Sequence, residues 1–332
     1  MRNLIKMMAR QLSAGNDVVL VTVTAATGAT PRGAGARMLV NKNGRLCGTI
    51  GGGAVEHRAI QIAQTVLAER SSTQHNFSLT RDDVQNLGMI CGGAVEVFFH
   101  YLAADNQNAI ELAAEAEQLL AHRQNIWLLT NLSDNSLGLV TQQNAPSWLA
   151  PQLTGKAKRI QYNGQDYFLE QIGTSSSVYI FGGGHVAQEL VPLLSHVGFR
   201  CVVMDDRPEF TDPSLFPAAD EILMVDFTHI DDFIKINADD YVCVMTKGHA
   251  YDTLIQAQIL RAVPCYIGVI GSAAKAAGVR KSLIEDHGLT HEDVDRITTP
   301  IGLKIGAETP AEIAVSIAAQ MIEVRAKLVD SE

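Results

Sequence analysis

Two nine-residue phrases of this chain, "GTIGGGAVE" at 48–56 and "GMICGGAVE" at 88–96, share seven of nine positions, and the second carries a thiol, Cys91, where the first has Gly51. Flanking glycines bring no side chains to bury that sulfur. Backbone N–H groups beside it lower a thiol's pKa and favour thiolate, the form that ligates a soft metal or carries sulfur. Cys91 is therefore the candidate reactive thiol and metal contact, framed by Gly92 and Gly93; the plainer reading is a small residue in a tight turn. In the first phrase, Gly51, Gly52 and Gly53 set backbone N–H groups just ahead of a helix, which suits an anion. Glu56 falls in that helix's first turn, where a carboxylate complements the helix dipole. Upstream, "TGATPRGAGARM" holds Arg32 between Pro31 and glycine, and the guanidinium fork fits phosphate or carboxylate.

A third glycine turn, "FGGGHVA", has the spacing Gly182-x-Gly184-x-x-Ala187 between a strand and a helix. Gly182 permits the tight turn, Gly184 lets backbone approach a phosphate, and Ala187 allows the helix to lie close on the sheet. His185 sits inside this turn as a phosphate contact or acid, or as an ordinary turn residue. Asp205 and Asp206 end the next strand about 20 residues on, where an acid holds a ribose hydroxyl. "IGVIGSAAK" repeats the strand-to-helix pattern, with Ser272 as helix cap, ligand contact or both. "MTKGHAYD" puts His249 and Asp252 at the end of a further strand, on the binding edge of a parallel sheet.

These residues need two kinds of scaffold. From "SSVYIF" onward, near-continuous apolar strands ("SVYIF", "FRCVVM", "EILMV", "YVCVMT", "CYIGVIG") are separated in places by helices such as "HVAQELVPLLSHVG". That alternation predicts a parallel, doubly wound, Rossmann-like sheet. The preceding part reads as mixed α+β: an amphipathic first helix, a strand in "DVVLVTVTAA", a hairpin turning at Asn43-Gly44 with positive φ angles, and a last hairpin in "QYNGQDYFLEQIG". The fold class is α/β, with an N-terminal α+β domain over 1–173 and the parallel-sheet domain over 174–332. The echoed phrase is not read as a duplicated unit: Glu56 leads into a helix, whereas Glu96 leads into "VFFHYL", which alternates like a strand. Two glycine turns facing one site is the better explanation.

Bulk composition narrows the class. The 332 residues are 47% apolar and 19% charged, with a net charge of −10, which disfavours nucleic acid and anionic membrane as partners. No apolar run approaches the roughly 20 residues that span a bilayer, and the N-terminus lacks a signal peptide's apolar block, so a cytoplasmic protein is expected. Five widely spaced cysteines show no metal-ligand spacing; Cys47, Cys201, Cys243 and Cys265 read as small core residues.

Taken together, "GATPRGAGARM", "GTIGGGAVE", "GMICGGAVEVFF", "VYIFGGGHVA", "VMTKGHAYD", "IGVIGS" and "PIGLKIGAETPAEIAVSIAAQMI" resemble the xanthine dehydrogenase accessory factor family, XdhC/CoxF, along almost the whole chain. It departs from the family's pattern at Lys247, where histidine is expected, and after Ser272, where basic residues often follow. The resemblance implies a chaperone that binds molybdenum cofactor (molybdopterin or its dinucleotide form), protects it, assists its sulfuration with a cysteine desulfurase, and delivers it to an apo molybdenum hydroxylase. It implies a homodimer, the cofactor phosphate at Gly182 and Gly184, and Cys91 near the molybdenum or its sulfido position. Two other functions fit the glycine fingerprint and Asp205: an NAD(P)- or nucleotide-dependent oxidoreductase, and a binding protein that senses a nucleotide.

Overall fold

The computed structural model describes residues 2–78, 93–122, 124–247 and 249–331. Cys91 and Gly92 lie outside them. The chain divides into two compact units, Met1–Ser175 and Ser176–Ser331.

The first unit is built on strand β1 (Val18–Thr27), whose residues are buried on both faces. It lies at the centre of a five-stranded antiparallel sheet with β2 (Arg37–Asn41), β3 (Gly44–Thr49), β4 (Thr73–Ser78) and β5 (Ala94–Leu102), in the order β3-β2-β1-β5-β4. Alternation along β1 splits two apolar layers. Val19, Val21 and Val23 pack on helix α2 (Gly53–Glu69) through Val55, Ala59 and Val66. Val18 and Leu20 meet helix α1 (Arg2–Ser13) and helix α3 (Gln107–Ala121), which bring Ile5, Met8, Ala113 and Ala116. The α1 and α3 stripes recur at helical spacing, which is why these segments coil.

A four-stranded antiparallel sheet completes the unit, with β6 (Ile126–Asn131), β7 (Leu137–Val140), β8 (Lys158–Tyr162) and β9 (Gln165–Gly173) in the order β7-β6-β9-β8. The two hairpins close differently. Between β8 and β9, Asn163 and Gly164 both take positive φ (50° and 76°), which matches the strand twist in a two-residue turn. Between β2 and β3 only Gly44 does (109°), so the expectation of two left-handed residues at Asn43-Gly44 is corrected. There the Asn41 side chain accepts the Asn43 N–H at 2.9 Å and closes the turn itself.

One buried ion pair joins the two sheets of this unit. Arg37 on β2 meets the Glu170 carboxylate on β9, and both side chains are almost wholly shielded from solvent. Burial pushes the Arg37 guanidinium down to about 9.

The second unit is a six-stranded parallel sheet: β10 (Val178–Phe181), β11 (Cys201–Asp205), β12 (Glu221–Met224), β13 (Tyr241–Val244), β14 (Tyr266–Val269) and β15 (Ile297–Thr298), ordered β12-β11-β10-β13-β14-β15. Counting from β10, this is the 3-2-1-4-5-6 order of a doubly wound dinucleotide fold. The apolar run of β10 follows from cover on both faces. Val178 and Ile180 pack on α4 (His185–His196) and α8 (Pro310–Ser331) through Leu190, Leu194, Ile317 and Met321. Tyr179 and Phe181 pack on α5 (His249–Ala262) and α6 (Ala273–Glu285) through Ile255, Ile259 and Leu283. The short helix α7 (His291–Asp295) leads into β15. Among the described residues, no helix is long and apolar enough to cross a membrane.

Removing one partner of a buried ion pair strands the other charge. Glu170→Ala is expected to cost about 3–5 kcal/mol, and Arg37→Met with Glu170→Leu to recover most of it, by urea unfolding. A loss under about 1 kcal/mol for Glu170→Ala would show that Arg37 reaches solvent when its partner is gone.

Candidate functional site

The turn after β10 holds three glycines, two of them required by neighbouring backbone and one bordering open space. Gly182 takes φ 109°, and a Cβ there would collide with the Met245 carbonyl oxygen at the end of β13. A Cβ on Gly183 would collide with the Phe210 carbonyl oxygen. Backbone from neighbouring segments therefore excludes any side chain at both positions. Gly184 is different: its φ is −69°, and a Cβ there would meet nothing within 4 Å. It is the N-cap of α4, and no side chain caps the amides that follow. The open space thus lies at a helix N-terminus, where free N–H groups and the dipole favour a phosphate. His185, the first residue of α4, is exposed beside it.

Asp205 ends β11 with a buried carboxylate. Its Oδ2 accepts the Gly183 N–H at 2.8 Å and Arg207 Nη2 at 3.0 Å; its Oδ1 accepts the Arg207 N–H at 3.1 Å and Nε at 2.9 Å. Burial by itself raises this acid, but the bonds from Arg207 and Gly183 outweigh it and hold Asp205 below the usual carboxylate range. The fingerprint acid thus ties the glycine turn to Arg207, whose guanidinium also lies 3.9 Å over the Phe210 ring. A cavity of about 280 Å³ opens beside it, bordered by Asp206, Arg207, Thr246, Lys247 and Tyr251.

Further along the same sheet, Ser272 caps α6, its hydroxyl accepting the Lys275 N–H at 3.3 Å. Lys275 then reaches back to the fully buried Asp252 at 2.5 Å, and Asp252 also accepts the Thr246 hydroxyl. This pair borders a second cavity of about 120 Å³ with Gln256, Gly271 and Arg280. His249 opens α5.

In the first unit the turn at 51–53 meets an anion from the chain itself. Glu56 Oε2 accepts the Thr49 hydroxyl, the Ile50 N–H at 3.1 Å and the Gly52 N–H at 3.2 Å. Thr49 Oγ1 in turn accepts the Gly51 N–H at 3.1 Å, and Arg45 Nη1 lies 3.4 Å from Glu56 Oε1. Glu56 is therefore more than a complement to the helix dipole. Burial raises it, yet bonds from Thr49, Gly52 and Ile50 and the Arg45 charge carry it below its ordinary value. Gly51, Gly52 and Gly53 all sit at positive φ.

The two echoed phrases converge on one loop. A Cβ on Gly51 would lie 2.7 Å from Pro31 Cβ and 3.7 Å from Arg32 Cγ. A Cβ on Gly93 would collide with the carbonyl oxygens of Thr27 and Ala29. Gly51 thus lies beside Arg32, which is exposed, and Gly93 against the earlier part of the same loop. Sequence reasoning did not find the roles of Thr49, Arg45, Arg207 or the Asp252–Lys275 pair; of these only Arg207, next to two aspartates, carried a local signal. Among the described residues, no group of three or more His, Cys, Asp or Glu is placed to hold a metal.

A family model described as the XdhC Rossmann domain matches residues 178–321, and one described as the XdhC and CoxI family matches residues 11–78. Together they cover well over half of the chain. A probable xanthine dehydrogenase subunit of Bacillus subtilis (strain 168) is 27% identical over 99% of both chains. The molybdenum cofactor insertion chaperone PaoD of Escherichia coli (strain K12) is 22% identical over 98% of this chain and 88% of its own. A crystal structure described as a xanthine dehydrogenase from Bacillus halodurans shares the fold, with a TM-score of 0.78 and 24% identity over 97% of this chain and 96% of that one.

A depressed carboxylate stabilises above its unfolded pKa and loses that contribution as pH falls through its native value. Protection factors at Ile50 and Gly52, with intrinsic exchange divided out, are therefore expected to be high at neutral pH and to fall as pH drops below about 4, the ordinary glutamate range. Glu56→Gln should lower those protection factors already at neutral pH; unchanged protection in that variant would show that the glycines hold the turn unaided.

Proposed function

The chain belongs to the XdhC and CoxI family, and from that premise we propose that it is a maturation factor for a xanthine-dehydrogenase-type molybdenum hydroxylase. It binds molybdenum cofactor as cargo, protects it, and delivers it to the apo-enzyme. The observation that carries this reading is likeness along nearly the whole chain to a protein named for inserting that cofactor.

The chain's own residues support it by their chemistry. Molybdenum cofactor is a pterin dithiolene that ends in a phosphate, or in a nucleotide joined through a pyrophosphate. Such an anion fits the start of α4, where Gly184 leaves open space and the amides carry no side-chain cap. It fits the turn at 51–53 poorly, because Glu56 already sits on the Ile50 and Gly52 amides. In this reading Gly182 and Gly183 hold the turn's shape, and His185 stands beside the anion. Arg32, exposed next to Gly51, offers a guanidinium to a second acidic group. Cys91, flanked by Gly92 and Gly93 in sequence, remains the proposed thiol for the molybdenum. A cysteine desulfurase is the proposed donor for exchange of an oxo for a sulfido ligand, and the working form a homodimer.

The test is isolation of the full chain from cells that assemble the cofactor, with molybdenum by mass spectrometry, pterin by fluorescence after oxidation, and activation of an apo-hydroxylase. Wild type should carry both components and activate; absence of all three overturns the proposal. Cys91→Ser is expected to lower molybdenum retention or activation, and full retention of both removes the thiol's role. Gly184→Val is compatible with the backbone at φ −69° and fills the open space. It should weaken cofactor binding by about tenfold or more, roughly 1.4 kcal/mol, while the lost N-cap preference lowers stability by only about 1 kcal/mol and leaves the chain folded at the assay temperature.

A further inference from the structure

The cavity beside β11 divides the work of two adjacent carboxylates. In sheets of this order, ligands bind beyond the strand ends where the order reverses. The acid after the second strand holds ribose hydroxyls, and a nearby arginine accommodates a ribose 2′-phosphate. Here the reversal falls between β10 and β13, and the cavity of about 280 Å³ opens at that edge.

Asp205 is not available to a ribose. Both of its oxygens are engaged, by the Gly183 N–H and by three N–H groups of Arg207. The same bonds hold Arg207, whose plane is further fixed on Phe210 at 3.9 Å. The arginine that would otherwise neutralise a 2′-phosphate borders the cavity with its Nε and Nη2 already committed to Asp205. Asp206 is the neighbouring acid that lines the cavity and stays partly exposed, with Oδ1 3.7 Å from Arg207 Nε. Glu209 adds a second carboxylate and Lys247 an ammonium to the same cavity. Tyr251, 40% exposed, rests edge-on against Phe227 at 5.5 Å and offers a base an aromatic wall.

We propose that this cavity binds a ribonucleotide joined through a pyrophosphate and carrying a free 2′-hydroxyl. Asp206 accepts from the ribose hydroxyls, and the Asp205–Arg207 lock excludes a 2′-phosphorylated ribose. The pyrophosphate lies toward the open N-terminus of α4. A 2′-phosphate would bring two negative charges beside Asp206 and Glu209, opposed by Lys247 and by an Arg207 whose charge is already paired with Asp205, a like-charge placement that penalises the wrong partner. Two ligands share this chemistry: an NAD-type dinucleotide, and the dinucleotide form of the proposed cargo. The site itself does not depend on the delivery function.

The test titrates the full chain with NADH, NADPH, CDP and GDP by isothermal calorimetry. NADH is expected to bind at least about tenfold tighter than NADPH. Asp206→Ala, a partly exposed position that leaves the core untouched, should weaken NADH by about tenfold, the scale of a hydrogen bond to a charged group. Asp205→Asn should free Arg207 and narrow the gap between NADH and NADPH. If it fails to fold, Asp206→Ala still decides the matter. Tighter binding of CDP or GDP than of NADH supports the site and identifies the cargo's nucleotide as its ligand; the reverse order supports the site with an NAD-type ligand. NADPH binding as tightly as NADH, an unchanged affinity in Asp206→Ala, or no binding by any of the four overturns the inference. Molybdenum content of the same preparations reads the delivery function separately. Molybdenum without nucleotide binding overturns only this inference, and nucleotide binding without molybdenum counts only against delivery.

Discussion

A carboxylate folded back onto the amides of a glycine turn is the interaction on which both units rest. Asp205 does this for the turn after β10, and Glu56 for the turn before α2. The physical need is the same in each. A glycine turn leaves backbone N–H groups without a ladder partner, Gly183 after β10 and Ile50 and Gly52 before α2, and a buried N–H left without a partner costs about 1–3 kcal/mol. A carboxylate supplies a charge-assisted acceptor, roughly twice as strong as a neutral one. In return it is held below its ordinary pKa, so the turn and the ionised acid stabilise each other.

The resident carboxylate also decides what each turn can accept. At 50–52 the acceptor sits directly on the amides, and Arg45 and Thr49 complete its partners. A ligand anion brought there would meet a like charge at contact distance. After β10 the acid is placed one step earlier, on Gly183, so the amides that follow Gly184 stay open. The two turns read alike as glycine clusters ahead of a helix, yet one is closed by its own side chain and the other is left open. The difference lies in where the acid stands. Glu56 belongs to the helix that follows the turn, whereas Asp205 belongs to the next strand and approaches from the side.

Much of the architecture was legible in the sequence because it is written locally. The apolar residues of β10 and β13, buried on both faces, announce a parallel sheet covered by helices. The alternating "AVEVFFHYL" announced β5, and the helical stripe after Gly53 announced α2. What escaped was set by distance along the chain. Arg37 and Glu170 meet only because β2 and β9 are brought together from opposite ends of their unit, and Lys275 finds Asp252 only across strand ends. The spacing between fingerprint and acid located Asp205 in the right place but not its partners. Arg207 is two residues from it, and a short turn lets the guanidinium double back; nothing in spacing alone separates that arrangement from an acid that faces outward. Asn43-Gly44 misled for a similar reason, since the Asn41 side chain closed the turn without asking Asn43 for a left-handed conformation.

The echoed Gly-Gly-Ala-Val-Glu phrase is explained by a shared neighbour. Its first copy enters helix α2 and its second enters strand β5, so the two are not one folded motif used twice. The glutamates diverge as well: Glu56 is buried in its own turn, whereas Glu96 pairs at the surface with Arg159. What the copies have in common is the loop from Thr27 to Arg32. Gly51 lies under Pro31, and Gly93 lies under the carbonyls of Thr27 and Ala29, at distances that leave no room for a Cβ. Two segments packed against opposite parts of one loop face the same steric limit and arrive at the same small residues. That limit also sets the loop that carries Arg32, with Gly51 beneath its Pro31–Arg32 end and Gly93 beneath its Thr27–Thr30 end.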